Sequence, residues 1–305
     1  MNENKKVSII IINYKNVEET IHCINSLKRV NYPNYSIVVV DNNSNNGSVE
    51  KLRDIFNNDI FIIESYKNLG FAGGNNLGIR YALKFNPDYI LLINNDTEVE
   101  PDFLSIMVNS FKEDSLIGMV SPKIMFYDKK DRVWFGGGNI SWLEFTGKHE
   151  KNPEKVNRKR YITFATGCCI LIKREVIERV GLLPEEYFMY FEDFDYSLQV
   201  QRSGYKILYE PAAVIYHKVG SSGGGNKSEF FVIQSTKSHL IILNKYRKNY
   251  KLSIFISYFF FLINSILKFF YYLLIKREIR KSLGVIRGIK EYLKYKKELK
   301  CKEKE

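Results

Sequence analysis

Three carboxylates crowd a short aromatic stretch of the sequence: Glu192, Asp193 and Asp195, with Tyr187–Phe191 before them and Phe194 and Tyr196 among them. Carboxyl groups this close to one another and to apolar rings raise each other's proton affinity, which suits a general base. Acids in the first turn of a helix also complement the helix dipole. The pattern predicts both uses, with Asp195 structural and Asp193, next to Glu192, the base. A second group is Asn94-Asn95-Asp96. A hard oxygen ligand at Asp96 can hold Mg²⁺ or Mn²⁺ against a diphosphate, because such an ion keeps several waters and shares phosphate oxygens; one carboxylate and one further ligand then suffice. His217, just ahead of a Gly/Ser run, is the candidate for that ligand. Asp41 closes an apolar stretch, where a carboxylate can accept from a base N–H or a ribose hydroxyl. The run Asn68–Asn76 mixes glycines with amides, so backbone can approach a ligand closely. It is neither GxGxxG nor GxxxxGK(S/T), which removes the main support for a dinucleotide or ATP site.

These residues need a scaffold, and the first half of the chain supplies one. Short β-branched runs alternate with helical patterns, the sequence form of a mostly parallel sheet with crossover helices. Strands are predicted at Val7–Ile12, Ser36–Val40, Ile60–Glu64 and Tyr89–Ile93, and a helix from Asn16 with Ile21, Ile24 and Leu27 on one face. Polar residues fall where strands stop, so Asn13, Asp41 and Asp96 can share the crevice beyond the strand ends. Asn68–Asn76 reads as a loop before a helix. Gly136–Gly138 and Lys148–Arg160 also read as loops. Further elements are predicted at Tyr161–Ile172, Lys173–Val180, a helix from Glu192 through Gln201, and extended pieces Ile207–Tyr209 and Ala213–Tyr216, the last delivering His217 to the glycine run Gly220–Gly225.

Composition bounds what surrounds this body. The chain has 305 residues and a net charge of +12. Asn244–Glu305 holds 17 basic and 5 acidic residues, which accounts for the whole excess and leaves the rest neutral. That asymmetry points to a tail that meets an anionic surface and argues against a nucleic-acid partner. The four cysteines form no CxxC pair and are read as reduced. The apolar run after MNENKK is too short for a signal-peptide core, so a cytoplasmic body is expected. Leu252–Ile275 is nearly all apolar with Lys268 its one charge, long enough for a hydrocarbon core of ~30 Å. Ser253, Ser257, Asn264 and Lys268 fall on one side of a helical wheel, which favours an interfacial or bundled helix over a lone spanning one. Next comes a basic helix carrying Ile279, Leu283 and Ile286; basic segments gain roughly 1 kcal/mol per charge near anionic lipid. A helical hairpin closing the globule, or a contact between two copies, is the alternative. Domains are expected at 1–243 and 244–305.

Taken in order, VSIIIINY, VVVDNNS, NLGFAGGNN, LLINNDTEV, TGCCILIKREV, YFEDFDYSLQVQRSGYKI and HKVGSS resemble the family 2 inverting glycosyltransferases, most of all members described as rhamnosyltransferases. The resemblance runs from Val7 to about Ser222. It implies the GT-A fold, an α/β architecture with a Rossmann-like central sheet, and a hexosyltransferase using a nucleoside-diphosphate sugar: deoxythymidine-diphosphate rhamnose or a UDP-sugar. Asn13, Tyr14 and Asp41 match positions that hold base and ribose. Asn75 matches a nucleotide-contacting position, and Asn43, Gly70, Asn94 and Asn95 complete the donor-binding set. Asp96 matches the metal ligand, His217 the late histidine that completes the site, and Glu192-Asp193 the catalytic base, Asp193 foremost. Asn94 departs from the pattern, since an acid often stands there, and this weakens the implied metal site. The acceptor implied is a glycan or polyprenyl-linked molecule at the cytoplasmic face of the membrane, with the C-terminal helices also a surface for self-association. A non-catalytic nucleotide-sugar scaffold and a nucleotidyltransferase are the competing readings; the second usually needs a basic Gly-rich loop after the first strand, which Asn13–Glu19 does not supply.

Overall fold

The computed structural model describes residues 5–219 and 228–302. The run Gly220–Gly225 lies outside the described residues. The chain forms two compact units, one of Met1–Asn139, Gly147–Glu185 and Glu192–Val219, the other of Ile140–Thr146, Glu186–Phe191 and Gly220–Glu305.

The first unit is built on β1 (Val7–Asn13), α1 (Val17–Leu27), β2 (Tyr35–Asp41), α2 (Ser48–Phe56), β3 (Phe61–Glu64), α3 (Gly70–Ala82), β4 (Tyr89–Asn94), β5 (Thr97–Val99), α4 (Phe103–Ser110), β6 (Ile117–Phe126) and β7 (Val133–Phe135). A ribbon, β8 (Gly138–Ser141) and β9 (Thr146–His149), follows; its tip belongs to the second unit. Then come α5 (Pro153–Val156), β10 (Arg160–Ile162), β11 (Cys169–Lys173), α6 (Arg174–Val180), α7 (Glu192–Arg202) and β12 (Lys206–His217). The sheet runs β10-β12-β6-β11-β4-β1-β2-β3, with β5 beside β12 and β7 beside β6. Strands β4, β1, β2 and β3 are parallel, as their uninterrupted apolar runs predict for a sheet covered on both faces. β11 is antiparallel to both neighbours, β4 and β6, so the sheet is mixed.

Three expectations change. The Asn68–Asn76 stretch is helix from Gly70 onward, not loop. Glycines of α3 serve packing: a Cβ on Gly74 would lie 3.1 Å from Ile12 Cδ1, and one on Gly78, a turn further on, 2.5 Å from Ile10 Cγ2 and 3.1 Å from Val40 Cγ2, so the lack of side chains there lets α3 settle directly on β1 and β2. The Gly136–Gly138 and Lys148–Arg160 loops contain the start of β8, the end of β9, α5, with Pro153 at its first turn, and the first residue of β10. The two extended pieces near Tyr209 and Val214 are one strand, β12, whose register against β6 shifts between Glu210 and Val214. Pro211, which has no N–H to give the ladder, sits in that irregularity.

The second unit is helical: α8 (Glu229–Tyr246), α9 (Lys251–Phe270), a π-helical turn at Tyr271–Ile275, and α10 (Ile279–Lys302). One helical stretch, Lys251–Ile275, is long and apolar enough to cross a membrane by length and composition. The polar stripe splits. Ser257 is buried, its hydroxyl donating to Ser253 O and Trp142 O, whereas Asn264 and Lys268 are exposed. Much of the remaining surface of α9 is bare hydrocarbon, including Phe255 at 75% exposure and Phe259 at 60%.

Replacing Gly78 by alanine should improve helix propensity by about 1 kcal/mol, yet force a methyl into Ile10, at a cost of roughly 1–3 kcal/mol. A net loss of stability is expected, read as a lower urea midpoint at unchanged slope.

Candidate active site

The parallel register sets Asn13 opposite Asp41 and Ile12 opposite Asn94, so the ends of β1, β2 and β4 form one rim. Asn13 is fully buried there and its amide is completely used. Nδ2 donates to Asp41 Oδ1 at 2.7 Å and to Ser44 Oγ at 3.2 Å, and Oδ1 accepts from Thr20 Oγ1 at 2.8 Å. Thr20 in turn accepts from Asn95 Nδ2 at 3.0 Å. The other oxygen of Asp41 accepts the Ser44 N–H at 2.9 Å. Asn13 and Asn95 thus act on Asp41 through a hydrogen-bonded chain.

Beside this rim lies an open polar cleft of about 400 Å³ lined by Tyr14, Lys15, Asn43, Ser44, Asn45, Asn46 and Asn68. Its walls are turns in left-handed backbone, with φ of 58° at Lys15, 64° at Asn43 and 50° at Asn45. Asparagine tolerates that region; lysine there is uncommon and is held by the bond from its N–H to Ser44 Oγ. Asn42 clamps the start of α3, accepting from Leu69 N–H and donating to Gly70 O. Asn75 is buried within α3, its amide donating to Phe71 O. Gly70 begins the helix at φ 70°.

Asp96 follows β4 and His217 ends β12; pairing of β12 with β5 sets His217 opposite Thr97, and the Lys218 N–H donates to Asp96 O at 2.9 Å. Both side chains are nearly buried, with His217 Nε2 3.2 Å from Asp96 Oδ1. Burial opposes a charged ring, but the neighbouring Cys168 and Asp96 more than offset it and raise His217 to about 10. The ring thus holds a proton beside the carboxylate; a divalent cation taking the place of that proton would meet a carboxylate oxygen facing an imidazole nitrogen, a donor pair that fits it. Among the described residues no cluster of three or more His, Cys, Asp or Glu side chains is placed to hold a metal. A cation here would draw its remaining ligands from phosphate and water.

The carboxylate pair opens α7. Asp193 accepts the Gly167 N–H at 2.9 Å on one oxygen and the Phe194 N–H at 2.8 Å on the other. Glu192 is buried, and its Oε2 has no hydrogen-bond partner. Burial and the adjacent Asp193 push the Glu192 carboxyl well above the ordinary range; burial also raises Asp193, against the pull of its two N–H donors. With one proton for the pair, Glu192 keeps it and Asp193 ionises first. Asp195 is buried and accepts from Gln199 Nε2 one turn on.

The turn Thr166-Gly167-Cys168 joins the two halves of the site. Gly167 binds Asp193, and the next residue, Cys168, lies against the His217 ring. A side chain at Gly167 would strike the Phe71 ring at 2.9 Å. The structure thus brings Asp96, His217 and Asp193 to one short turn, and Tyr14 and Asn43 to the cleft. Sequence reasoning passed over Thr20, Ser44, Gly167 and Cys168. VVVDNNS and TGCC contain three of these four, but nothing in those strings says which members bind one another.

The sequence profile described as Glycosyl transferase family 2 matches residues 8–181, ending before Glu192. A low-salt glycan biosynthesis hexosyltransferase of Haloferax volcanii is 29% identical over 202 residues, 66% of this chain and 63% of that protein. A poly-β-1,6-N-acetyl-D-glucosamine synthase of Staphylococcus aureus is 26% identical over 210 residues, 68% of this chain and 48% of its own length. The chain spans less than two thirds of each of these relatives. Among solved structures, GalNAc-T7 with UDP, GalNAc and Mn²⁺ superposes with a TM-score of 0.63 at 15% identity, over 89% of this chain and 50% of that one. The mannosyltransferase PcManGT from Pyrobaculum calidifontis, in complex with GDP-Man and Mn²⁺, gives 0.57 at 14% identity, over 96% and 88%. At such identities the structural likeness bears on the fold, which is GT-A. With more than half of its length matched, the chain belongs to glycosyl transferase family 2.

Proposed function

We propose that this protein moves a sugar from a nucleoside-diphosphate donor to a hydroxyl of a glycan or lipid-linked acceptor, with inversion at the anomeric carbon. The observation that carries this reading is the turn 166–168, which has an ionisable carboxylate hydrogen-bonded on one side and the Asp96–His217 pair on the other. Asp193 takes the proton of the acceptor hydroxyl as its oxygen attacks the anomeric carbon; the bond to the diphosphate breaks on the opposite face and the nucleoside diphosphate leaves. Asp96 and His217 would hold Mg²⁺ or Mn²⁺, which neutralises charge on the departing diphosphate. Asp41, fixed by Asn13 and Ser44, faces the ribose or base, with Tyr14 and Asn43 in the cleft beside it. Asn75, Gly70 and Asn94 support the donor from α3 and β4. Deoxythymidine-diphosphate rhamnose or a UDP-hexose is the donor class; the structural neighbours hold UDP with GalNAc, and GDP-Man.

Residues 244–305 are read as the part that meets the cytoplasmic face of the membrane. The bare apolar side of α9 and the basic residues of α10 suit hydrocarbon and anionic headgroups respectively. Exposed Ile279, Leu283 and Ile286 extend the apolar surface onto α10.

Asp193→Asn is expected to bind donor as the wild type does while turnover falls ~10²–10⁴-fold; isothermal titration and a coupled diphosphate-release assay measure the two. Wild-type turnover in that variant removes Asp193 as the base. Glu192 gives a pH test of stability. Its folded proton affinity exceeds its unfolded one, so the folded state binds the extra proton, and stability falls as pH rises from about 4.3, the ordinary glutamate value, toward the raised one. Glu192→Gln removes that fall, which unfolding curves between pH 4.5 and 7.5 would reveal as a flatter profile. For the tail, the double substitution Phe259→Asp and Leu267→Asp should abolish co-sedimentation with vesicles of anionic phospholipid while leaving the fold intact by circular dichroism; retained sedimentation contradicts the membrane reading.

A further inference from the structure

Hydrogen bonding leaves the orientation of the His217 ring half determined. Its Nε2 lies 3.2 Å from Asp96 Oδ1, while its buried Nδ1 has no hydrogen-bond partner among the described residues. A histidine that holds a metal usually gives its other ring nitrogen to a carbonyl or carboxylate, which fixes the plane of the ring. Here packing has to set that plane instead. The Trp134 ring meets His217 with centroids 4.6 Å apart and planes inclined 73°.

Trp134 reaches His217 because β7 is irregular. Ile124 of β6 pairs with Phe135 and Met125 with Val133, so Trp134 is the extra residue of a bulge. His217 pairs with Phe126, which lies on the same side of β6 as Ile124, and therefore shares a face with Phe135. Regular alternation would set Trp134 on the opposite face; the bulge turns its ring toward His217. A second histidine backs the indole. His149 of β9 donates its Nδ1–H to Trp134 O at 3.1 Å, and its ring meets the rings of Trp134 and Phe135 edge-on, both at 4.9 Å. All of these residues belong to the first unit.

We infer that Trp134 is a positioning residue for His217: its ring, placed by the bulge and backed by His149, stands in for the missing hydrogen bond at Nδ1 and fixes the direction in which Nε2 points. The inference rests on the reading of Asp96 and His217 as ligands of a divalent cation. It adds β7 to the elements that build the site.

The test compares full-length wild type with Trp134→Ala, Trp134→Leu, Trp134→Phe and His217→Ala. Mn²⁺ alone is titrated, the free ion being counted by electron paramagnetic resonance, and the metal-free Trp134 variants are crystallised to locate the His217 ring. In Trp134→Ala, Mn²⁺ affinity should fall about 10- to 100-fold, as for loss of a group that orients a metal ligand, and the ring should leave its place beside Asp96. Trp134→Leu keeps apolar bulk without a ring and holds the test open if Trp134→Ala does not fold; it should change in the same direction. Trp134→Phe should keep both the affinity and the ring position. An unmoved His217 ring in the alanine or leucine variant overturns the inference, as does wild-type affinity in either when His217→Ala has lost it, or loss of affinity in Trp134→Phe. Wild-type Mn²⁺ affinity in His217→Ala removes His217 as a ligand, whereas the ring position in the alanine and leucine variants still decides what Trp134 does.

Discussion

A carboxylate taken out of water must find within the protein the hydrogen bonds that water would have supplied. Asp41, 4% exposed, meets this constraint through the Asn13 amide and the Ser44 N–H, and the rest of the rim follows from it. Because Asn13 must give both of its N–H donors to that corner, its oxygen needs a donor, which Thr20 provides, and Thr20 in turn draws in Asn95. Three strand ends are tied by side chains as well as by the ladder. The cleft beside them is walled by turns in left-handed backbone and shares Ser44 with this network.

Much the same logic divides the two acids at the head of α7. Adjacent in sequence and both removed from water, they differ in what touches them: Asp193 has two backbone N–H donors, Glu192 has a bare oxygen. Neither residue type nor burial separates the two acids here. The difference is made by a glycine from a remote turn, and that turn also carries the cysteine against His217. The same three residues of chain therefore touch both the carboxylate pair and the Asp96–His217 pair.

The parallel half of the sheet was legible because runs such as Ile9–Ile12 and Tyr89–Ile93 carry no polar interruption, and their polar terminators marked the rim. The direction of β11 was not legible, since an apolar run reads alike in either sense. Gly70–Asn76 was misjudged because three glycines and two asparagines signal a turn locally, whereas contact of Gly74 with Ile12, and of Gly78 beyond it with Ile10 and Val40, favours a helix lacking side chains on that face. The Asp96, His217 and Asp193 candidates came from motif order. Their connection through Gly167 and Cys168, the service role of Asn13, and the meeting of Trp134 with His217 depend on contacts across long sequence separations, which no local pattern encodes.

Ser257 gives α9 a handedness of exposure. Its hydroxyl bond to the Trp142 carbonyl and the burial of Ile254 one turn earlier mark the inward face of the helix and leave the other side bare. Along that side the identity of each apolar residue matters little, and Phe, Leu and Ile are interchangeable so long as greasy surface is conserved. At Ser257 the side chain does matter, because an alanine there would leave the Trp142 carbonyl without this donor.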